Sequence, residues 1–364
     1  MEEGKFTDME QSASNIANTT KIDQNAEIIA SAIKNSLSVI EQERERIIIT
    51  HRFGLTGPRE TLEEIGESLS ITRERVRQLE KAILVHLHIA AEEGTIEGLS
   101  AAEKLIIRNL TEVGRVARTS TLAEKILATV EPTSCAELNF LATISNSLCH
   151  IEETDRYYSA IAISEYGSDK DFKERADKIV SIIKKQGEPM TVDQLDELTN
   201  YEHPSHIAAI ASIAKPLAEL NGFWGLNKWP TVNPKNIRDK IFVILSTKNE
   251  PMHFSEIADA IKQSNFKRKN VTTQAIHNEL IKDSRFVLIG RGIYALNTWG
   301  YKEGTVSEII TAILKEKGEP MTREEIVREV LHSRKVKETT ILLNLQNKKL
   351  FHKIDKNSYE LAEP

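Results

Sequence analysis

The chain has 364 residues, of which 40% are hydrophobic, 28% charged and only 5% aromatic, and its net charge is −6 at pH 7. That length exceeds what one compact core usually holds and suits several small domains, and the scarcity of aromatics fits helical modules better than a large enzyme core. No apolar run approaches the ~20 residues of a membrane span and no secretory h-region opens the sequence, so a cytoplasmic protein without membrane association is expected. The two cysteines, Cys135 and Cys149, belong to no Cys-x-x-Cys or Cys/His cluster, so they read as two buried reduced thiols, with no metal site.

Residues 1–24 are polar and rich in Ser, Thr and Asn, which predicts a disordered tail. Residues 25–95 carry the most specific pattern in the chain. Thr61 and Glu64 have capping-box spacing, and Leu62, Ile65 and Leu69 form one apolar stripe, so a short helix begins near Leu62. Ser70 and Ile71 interrupt it. Thr72 then caps a second helix in which Val76, Leu79, Ile83 and Leu87 share the inner face. Glu74, Gln78 and Lys81 lie roughly opposite, with Arg73 and Arg77 to one side and Arg75 to the other. This is the layout of a helix-turn-helix, whose second helix enters the major groove by its N-terminal residues. Arg suits guanine, Gln adenine, and a carboxylate the cytosine amino group. The expected DNA-binding set is Thr72, Arg73, Glu74, Arg75, Arg77, Gln78 and Lys81.

The strings His51-Arg52-Phe53-Gly54-Leu55, Thr61-Leu62-Glu63-Glu64-Ile65-Gly66 and Thr72-Arg73-Glu74-Arg75-Val76-Arg77-Gln78-Leu79-Glu80 closely resemble region 4 of primary-type bacterial sigma factors over residues 43–88. The resemblance implies that the second helix binds the −35 promoter element in double-stranded DNA. Arg73, Glu74 and Gln78 would meet bases, with Arg75 and Arg77 near phosphates. It also implies the RNA polymerase core as a partner through the flap of the β subunit, with Phe53 and Leu55 as candidate contacts. Before Phe53 the sole aromatic is Phe6. The aromatic-rich promoter-melting helix of that family therefore has no counterpart, and promoter opening by this chain alone is not expected.

Residues 96–166 read as helices over 102–112, 121–130 and 138–148, then a wing from 150–153 and 157–163 around Thr154-Asp155-Arg156. The remainder explains this arrangement. Gly187-Glu188-Pro189-Met190-Thr191 recurs as Asn249-Glu250-Pro251-Met252-His253 and Gly318-Glu319-Pro320-Met321-Thr322. A helix precedes each motif (176–185, 237–247, 306–317), a second follows (192–198, 254–261, 323–331), and a third comes next (206–220, 273–282, 338–347). Each unit closes in an alternating or aromatic segment with a turn: 222–226 in the first, and hairpin signals at 286–289 and 293–296 around Gly290-Arg291-Gly292 and at 350–354 and 358–361 around Asp355-Lys356-Asn357. Three helices and a hairpin make a winged helix. Modules are expected at 170–230, 233–300 and 303–364, with a degenerate fourth at 96–166 and linkers near 166–169, 229–234 and 299–304. Trp224, Trp229 and Trp299 read as caps on small cores. The fold class is mainly α with small β-hairpin wings: a helix-turn-helix plus tandem winged helix-turn-helix modules.

Residues 233–300, with Arg285-Phe286-Val287 and Gly290-Arg291-Gly292-Ile293-Tyr294-Ala295-Leu296, resemble the HARE-type winged helix, which also forms the N-terminal part of the RNA polymerase delta subunit. That resemblance implies binding to DNA or to polymerase and does not choose between them. Lys267, Arg268, Lys269, Arg285 and Arg291 are candidate secondary DNA contacts. Charge is uneven: residues 231–364 hold 23 Lys and Arg against 17 Asp and Glu, a net of +6, which leaves −12 in residues 1–230. No Walker A loop, Gly-x-Gly-x-x-Gly, Gly-x-Ser-x-Gly or His-Glu-x-x-His occurs, and Asp193, Asp196 and Glu197 read as a solvated acidic face. No enzyme activity, cofactor or small-molecule substrate is expected. The reading is a sequence-specific DNA-binding transcription factor of region 4 type that also contacts polymerase. The alternatives are a delta-like polymerase-associated factor, or a repressor.

Overall fold

The computed structural model describes residues 3–199, 203–301, 304–334, 336–355 and 357–362, with side chains described from Thr20 onward. The chain divides into two compact units, Met1–Asn227 and Lys228–Pro364.

The first unit opens with α1 (Glu3–Ser38), followed by α2 (Glu43–Phe53), α3 (Leu62–Leu69) and α4 (Arg73–Glu92). The stretch expected as a disordered tail is thus helical from Glu3. The cause is that the second half of this helix is packed, and propagating a helix adds one hydrogen bond for each further residue fixed. Ile29, Ala32 and Ile33 are buried, and Asn25 Nδ2 donates to Ile126 O at 3.0 Å.

A winged helix comes next: α5 (Leu99–Val113), β1 (Val116–Arg118), α6 (Thr119–Leu127), α7 (Pro132–Ile144), β2 (Leu148–Ile151) and β3 (Ala160–Ile163). Its sheet has the order β1-β3-β2, all antiparallel. A second repeats the plan with α8 (Asp169–Gln186), β4 (Met190–Thr191), α9 (Val192–Thr199), α10 (Pro204–Ile213), β5 (Leu217–Leu220) and β6 (Phe223–Leu226), in the order β4-β6-β5. The apolar pattern predicts the third helix of this module as far as residue 220. The helix stops at Ile213 because Pro216 disfavours helical backbone at Lys215 before it.

The second unit holds two more copies. The first has α11 (Ile237–Lys248), β7 (Met252–His253), α12 (Phe254–Gln263), α13 (Thr273–Lys282), β8 (Phe286–Gly290) and β9 (Ile293–Leu296). The second has α14 (Val306–Lys317), β10 (Met321–Thr322), α15 (Arg323–Ser333), α16 (Glu338–Leu345), β11 (Phe351–Lys353) and β12 (Ser358–Leu361). Their sheets keep the same order. Lys356 of the expected last turn and residues 302–303 of an expected linker lie outside the described residues.

The repeated motif now has a mechanical meaning. Gly187, Asn249 and Gly318 end the preceding helix in left-handed backbone. Met190, Met252 and Met321 are buried and start a two-residue strand against the wing. Thr191, His253 and Thr322 then take hydrogen bonds from backbone N–H groups at the start of the next helix. In the degenerate module Gly114 and Ala117 stand at the corresponding places. Trp224 is buried in its sheet, and Trp299 packs on the core of the third module.

The modules of the first unit are fused. Ile40, Ile49, Ile83 and Leu87 share one core with Ile106, Leu110, Phe140 and Leu141. The wing of the first module meets the end of α10 through a β-bridge at Tyr157 and Ala214 and a bond from Tyr158 N to Ile213 O at 2.9 Å. Arg118 Nε donates to Ser212 O, and its guanidinium lies 3.9 Å from the Tyr158 ring centre. At Gly114 (φ 107°) a Cβ would sit 2.5 Å from Ser205 O, so only glycine admits this approach. Cys135 and Cys149 are free and half-buried, and burial pushes both thiols up.

A polar network braces the first module. Thr119 Oγ1 donates to Asn139 Oδ1 at 2.7 Å, Ser159 Oγ to the same oxygen at 3.1 Å, and His150 Nε2 lies 3.4 Å from Ser159 Oγ. Burial pushes the His150 imidazole down to about 4. The unfolded chain therefore takes this proton near pH 6.5 and the native state only near pH 4. Stability from the neutral ring is fully present above the higher value and is lost as pH falls between the two. We expect the urea midpoint of the first unit to fall from pH 7 to pH 4.5, with His150→Asn removing about 1–3 kcal/mol of that dependence. An unchanged pH profile in the variant would show that His150 does not contribute.

Candidate nucleic-acid interface

The helix-turn-helix is built by local chemistry. Thr61 and Glu64 form the predicted capping box: Thr61 N donates to Glu64 Oε2 at 2.7 Å and Glu64 N to Thr61 Oγ1 at 3.2 Å. Those bonds hold the Glu64 carboxyl below the usual carboxylate range. Ser70 ends α3 in left-handed backbone (φ 55°), and Thr72 caps α4 by accepting from Arg75 N at 3.2 Å. The turn is tight at Gly66, where a Cβ would meet Ile71 O at 2.8 Å. Ile48, Ile65 and Val76 are fully buried between α2, α3 and α4, with Leu62, Leu69, Ile71 and Leu79 around them.

Polar ties that sequence reading did not find fix α2 against this pair. Arg52 Nε donates to Glu80 Oε1 at 3.1 Å, a half-buried ion pair joining α2 to α4. His51 Nδ1 lies 2.8 Å from Glu60 Oε1, and Arg44 Nη2 donates to Leu69 O at 2.6 Å. Nothing in the local pattern of charges distinguishes these residues from solvated ones.

The first turns of α4 face outward. Thr72, Arg73, Glu74, Arg75, Arg77, Gln78 and Lys81 are all exposed, so the whole expected contact set lies on open surface. Side-chain exposure is 69% at Arg73 and 58% at Arg77. The face is also internally ordered. Arg77 forks onto Glu74, with Nε to Oε2 at 2.9 Å and Nη2 to Oε1 at 2.7 Å, and Gln78 Nε2 reaches Glu74 Oε1 at 3.4 Å. The Arg77 fork holds the Glu74 carboxyl below its ordinary range. Glu74 therefore stays a hydrogen-bond acceptor under neutral conditions.

Residues 42–88 match the Sigma-70, region 4 family. That domain is a DNA-binding helix-turn-helix tied to promoter recognition and RNA polymerase, and it is not itself a catalytic fold. A stretch of 54 residues is 50% identical to the RNA polymerase sigma factor RpoD of two Helicobacter pylori strains, covering 14% of this chain and 8% of each relative. The chain thus spans under a tenth of the length of the curated relatives it matches.

The other candidates fare differently. Phe53 and Leu55 are half-buried against the core of the first unit, and the Phe53 ring meets Phe140 of α7 edge-on at 5.2 Å. Arg285 is an internal clamp: Nη2 lies 2.7 Å from Asp283 Oδ2 and Nη1 3.3 Å from Asp239 Oδ1, and the guanidinium lies 5.4 Å from the Phe242 ring centre. Two carboxylates thus hold its charge within the module. Lys267, Arg268, Lys269 and Arg291 are exposed. No helix among the described residues is long and apolar enough to cross a membrane.

Gly66→Ala is expected to cost about 1–3 kcal/mol through the clash with Ile71 O. It should appear as a lower urea midpoint with the circular dichroism of the folded state retained. An unchanged midpoint would mean that the turn relaxes freely.

Proposed function

We propose that α4 reads a −35-like promoter element in double-stranded DNA and that this chain acts in transcription initiation or its regulation. One observation carries this: the N-terminal half of α4 presents Arg73, Glu74 and Gln78 to solvent while Val76, Ile83 and Leu87 anchor the same helix in the protein. Arg73 offers a bidentate contact to guanine, Gln78 to adenine, and Glu74 an acceptor for the cytosine amino group. The Arg77 fork pre-orders Glu74 before DNA arrives. Arg75 and Arg77 flank the row and suit phosphates, which set position rather than sequence.

A second reading is occupancy of the element without polymerase recruitment through Phe53 and Leu55, and the packing of those residues against the chain's own core favours it. The resemblance of residues 233–300 to the HARE-type winged helix would suit polymerase association through another surface. Run-off transcription with polymerase holoenzyme distinguishes activation from repression.

For the DNA reading, fluorescence anisotropy at fixed salt is the direct measurement. Arg73→Ala and Gln78→Ala should each cost about 1–3 kcal/mol on a −35-like duplex and flatten discrimination among single-base changes. Arg75→Ala should lower affinity evenly across sequences. Binding that is indifferent to sequence in the unmodified protein would overturn the proposal.

A further inference from the structure

The four winged helices share a topology but do not expose the same surfaces. In a winged helix the third helix is the one placed to enter a groove, and in the first unit that helix is turned inward. From Thr133 to Ile144 every residue of α7 is at least half-buried, and it packs against α1, α2 and α4. Helix α10 packs against β1 and α5 of the preceding module. Neither contains a Lys or Arg. Both are structural.

Helix α13 is different. Only Ile276 and Leu280 are buried, while Thr273, Gln274, Asn278, Ile281 and Lys282 are exposed. Gln274 and Asn278 lie one turn apart, with Gln274 Nε2 donating to Asn278 Oδ1 at 3.1 Å. Each amide carries a donor and an acceptor, the complement of what adenine presents in the major groove.

The loop before α13 is held in place. Phe266 and Val271 anchor its ends in the core. Between them, Lys240, only 4% exposed, donates from Nζ to Lys267 O at 2.9 Å and to Arg268 O at 2.8 Å. A buried ammonium thus pins the backbone, with Arg268 in left-handed conformation (φ 59°), and leaves the side chains of Lys267, Arg268 and Lys269 in solvent. Arg291 projects at the wing turn, where Gly292 (φ 72°) comes close to His253.

Most carboxylates of this module are already engaged. Glu279 pairs with Arg238 at 3.0 Å, Asp239 and Asp283 with Arg285, and Glu256 caps α12. Residues 235–300 carry eleven Lys and Arg against six Asp and Glu, a net of +5. The corresponding balance is +2 for 305–361, −2 for 99–163 and −3 for 168–226. Helix α16 opens on Glu338 and exposes Leu343 instead.

We propose that the module built on α11–α13 is a second, independent duplex-DNA-binding surface. In it, the Lys240-pinned loop and Arg291 grip phosphates, and Gln274 and Asn278 face base edges. Lys240 is a positioning residue for the loop. This surface needs nothing from α4.

The test uses the full chain and a labelled DNA duplex without a −35-like sequence, with affinity measured across a salt series. The starting protein is the Arg73→Ala/Gln78→Ala variant, so that any failure of the α4 reading is registered separately. Adding Lys267→Ala, Arg268→Ala and Lys269→Ala should weaken binding at least about tenfold at low salt. It should also lower the slope of log affinity against log salt by about 2–3, since each phosphate no longer neutralised removes roughly 0.9. Arg291→Ala alone should lower the slope by about one, and Lys240→Met should reproduce part of the loop effect with the loop's own charges intact. Gln274→Ala/Asn278→Ala should weaken binding while leaving the slope unchanged. Thermal unfolding midpoints should stay unchanged in the surface variants. An unchanged slope in the triple variant, or an A-form RNA duplex binding as tightly as DNA, would overturn the proposal.

Discussion

Helix α4 is built into two cores at once, and the rest of the first unit depends on that constraint. Near its start, Val76 closes the small core with Ile48 and Ile65. Two and three turns later, Ile83 and Leu87 belong to the large core shared with α1, α5 and α7. Leu79 packs against both. A 20-residue helix is about 30 Å long, so burying its far half fixes the direction of its near half. The exposed row at its N-terminus is therefore aimed by packing that lies well away from it.

What was legible in the sequence was what local chemistry decides. Thr61 with Glu64, and Thr72, announce helix starts within four residues, and the capping bonds are there. The Pro-Met motifs announce a repeat because the same helix stop, strand and cap recur at each. What was not legible depended on partners distant in sequence. The polar first half of α1 precedes its buried residues Ile29, Ala32 and Ile33, and the groups that cover those come from α5, α6 and α7. A two-residue strand such as β4 is too short to show alternation. Phe53 and Arg285 each had the right side chain for an outside partner. One is covered by Phe140 and the other is held by Asp239 and Asp283, and neither fact is written near them in the chain.

The repeats show how one topology serves two ends. Where the third helix is Ala- and Ile-rich, as in α10, it joins modules into one body through Gly114 and the Tyr157–Ala214 bridge. Where it keeps amides and follows a basic loop, as in α13, it stays on the surface. The sheet and the caps are the same in both cases. Charge and the bulk of a few outward side chains separate the buried third helices from the exposed one.

The two-residue strands β4, β7 and β10 bear on how a chain of look-alike repeats avoids tangling. Tandem copies emerging together risk exchanging strands, since each hairpin resembles its neighbour's. A stub of two residues at one edge of a sheet offers a stray hairpin very little backbone to zip onto, and the helix that starts immediately after it closes that side. Shortness at this rim thus limits the backbone that a neighbouring hairpin could pair with.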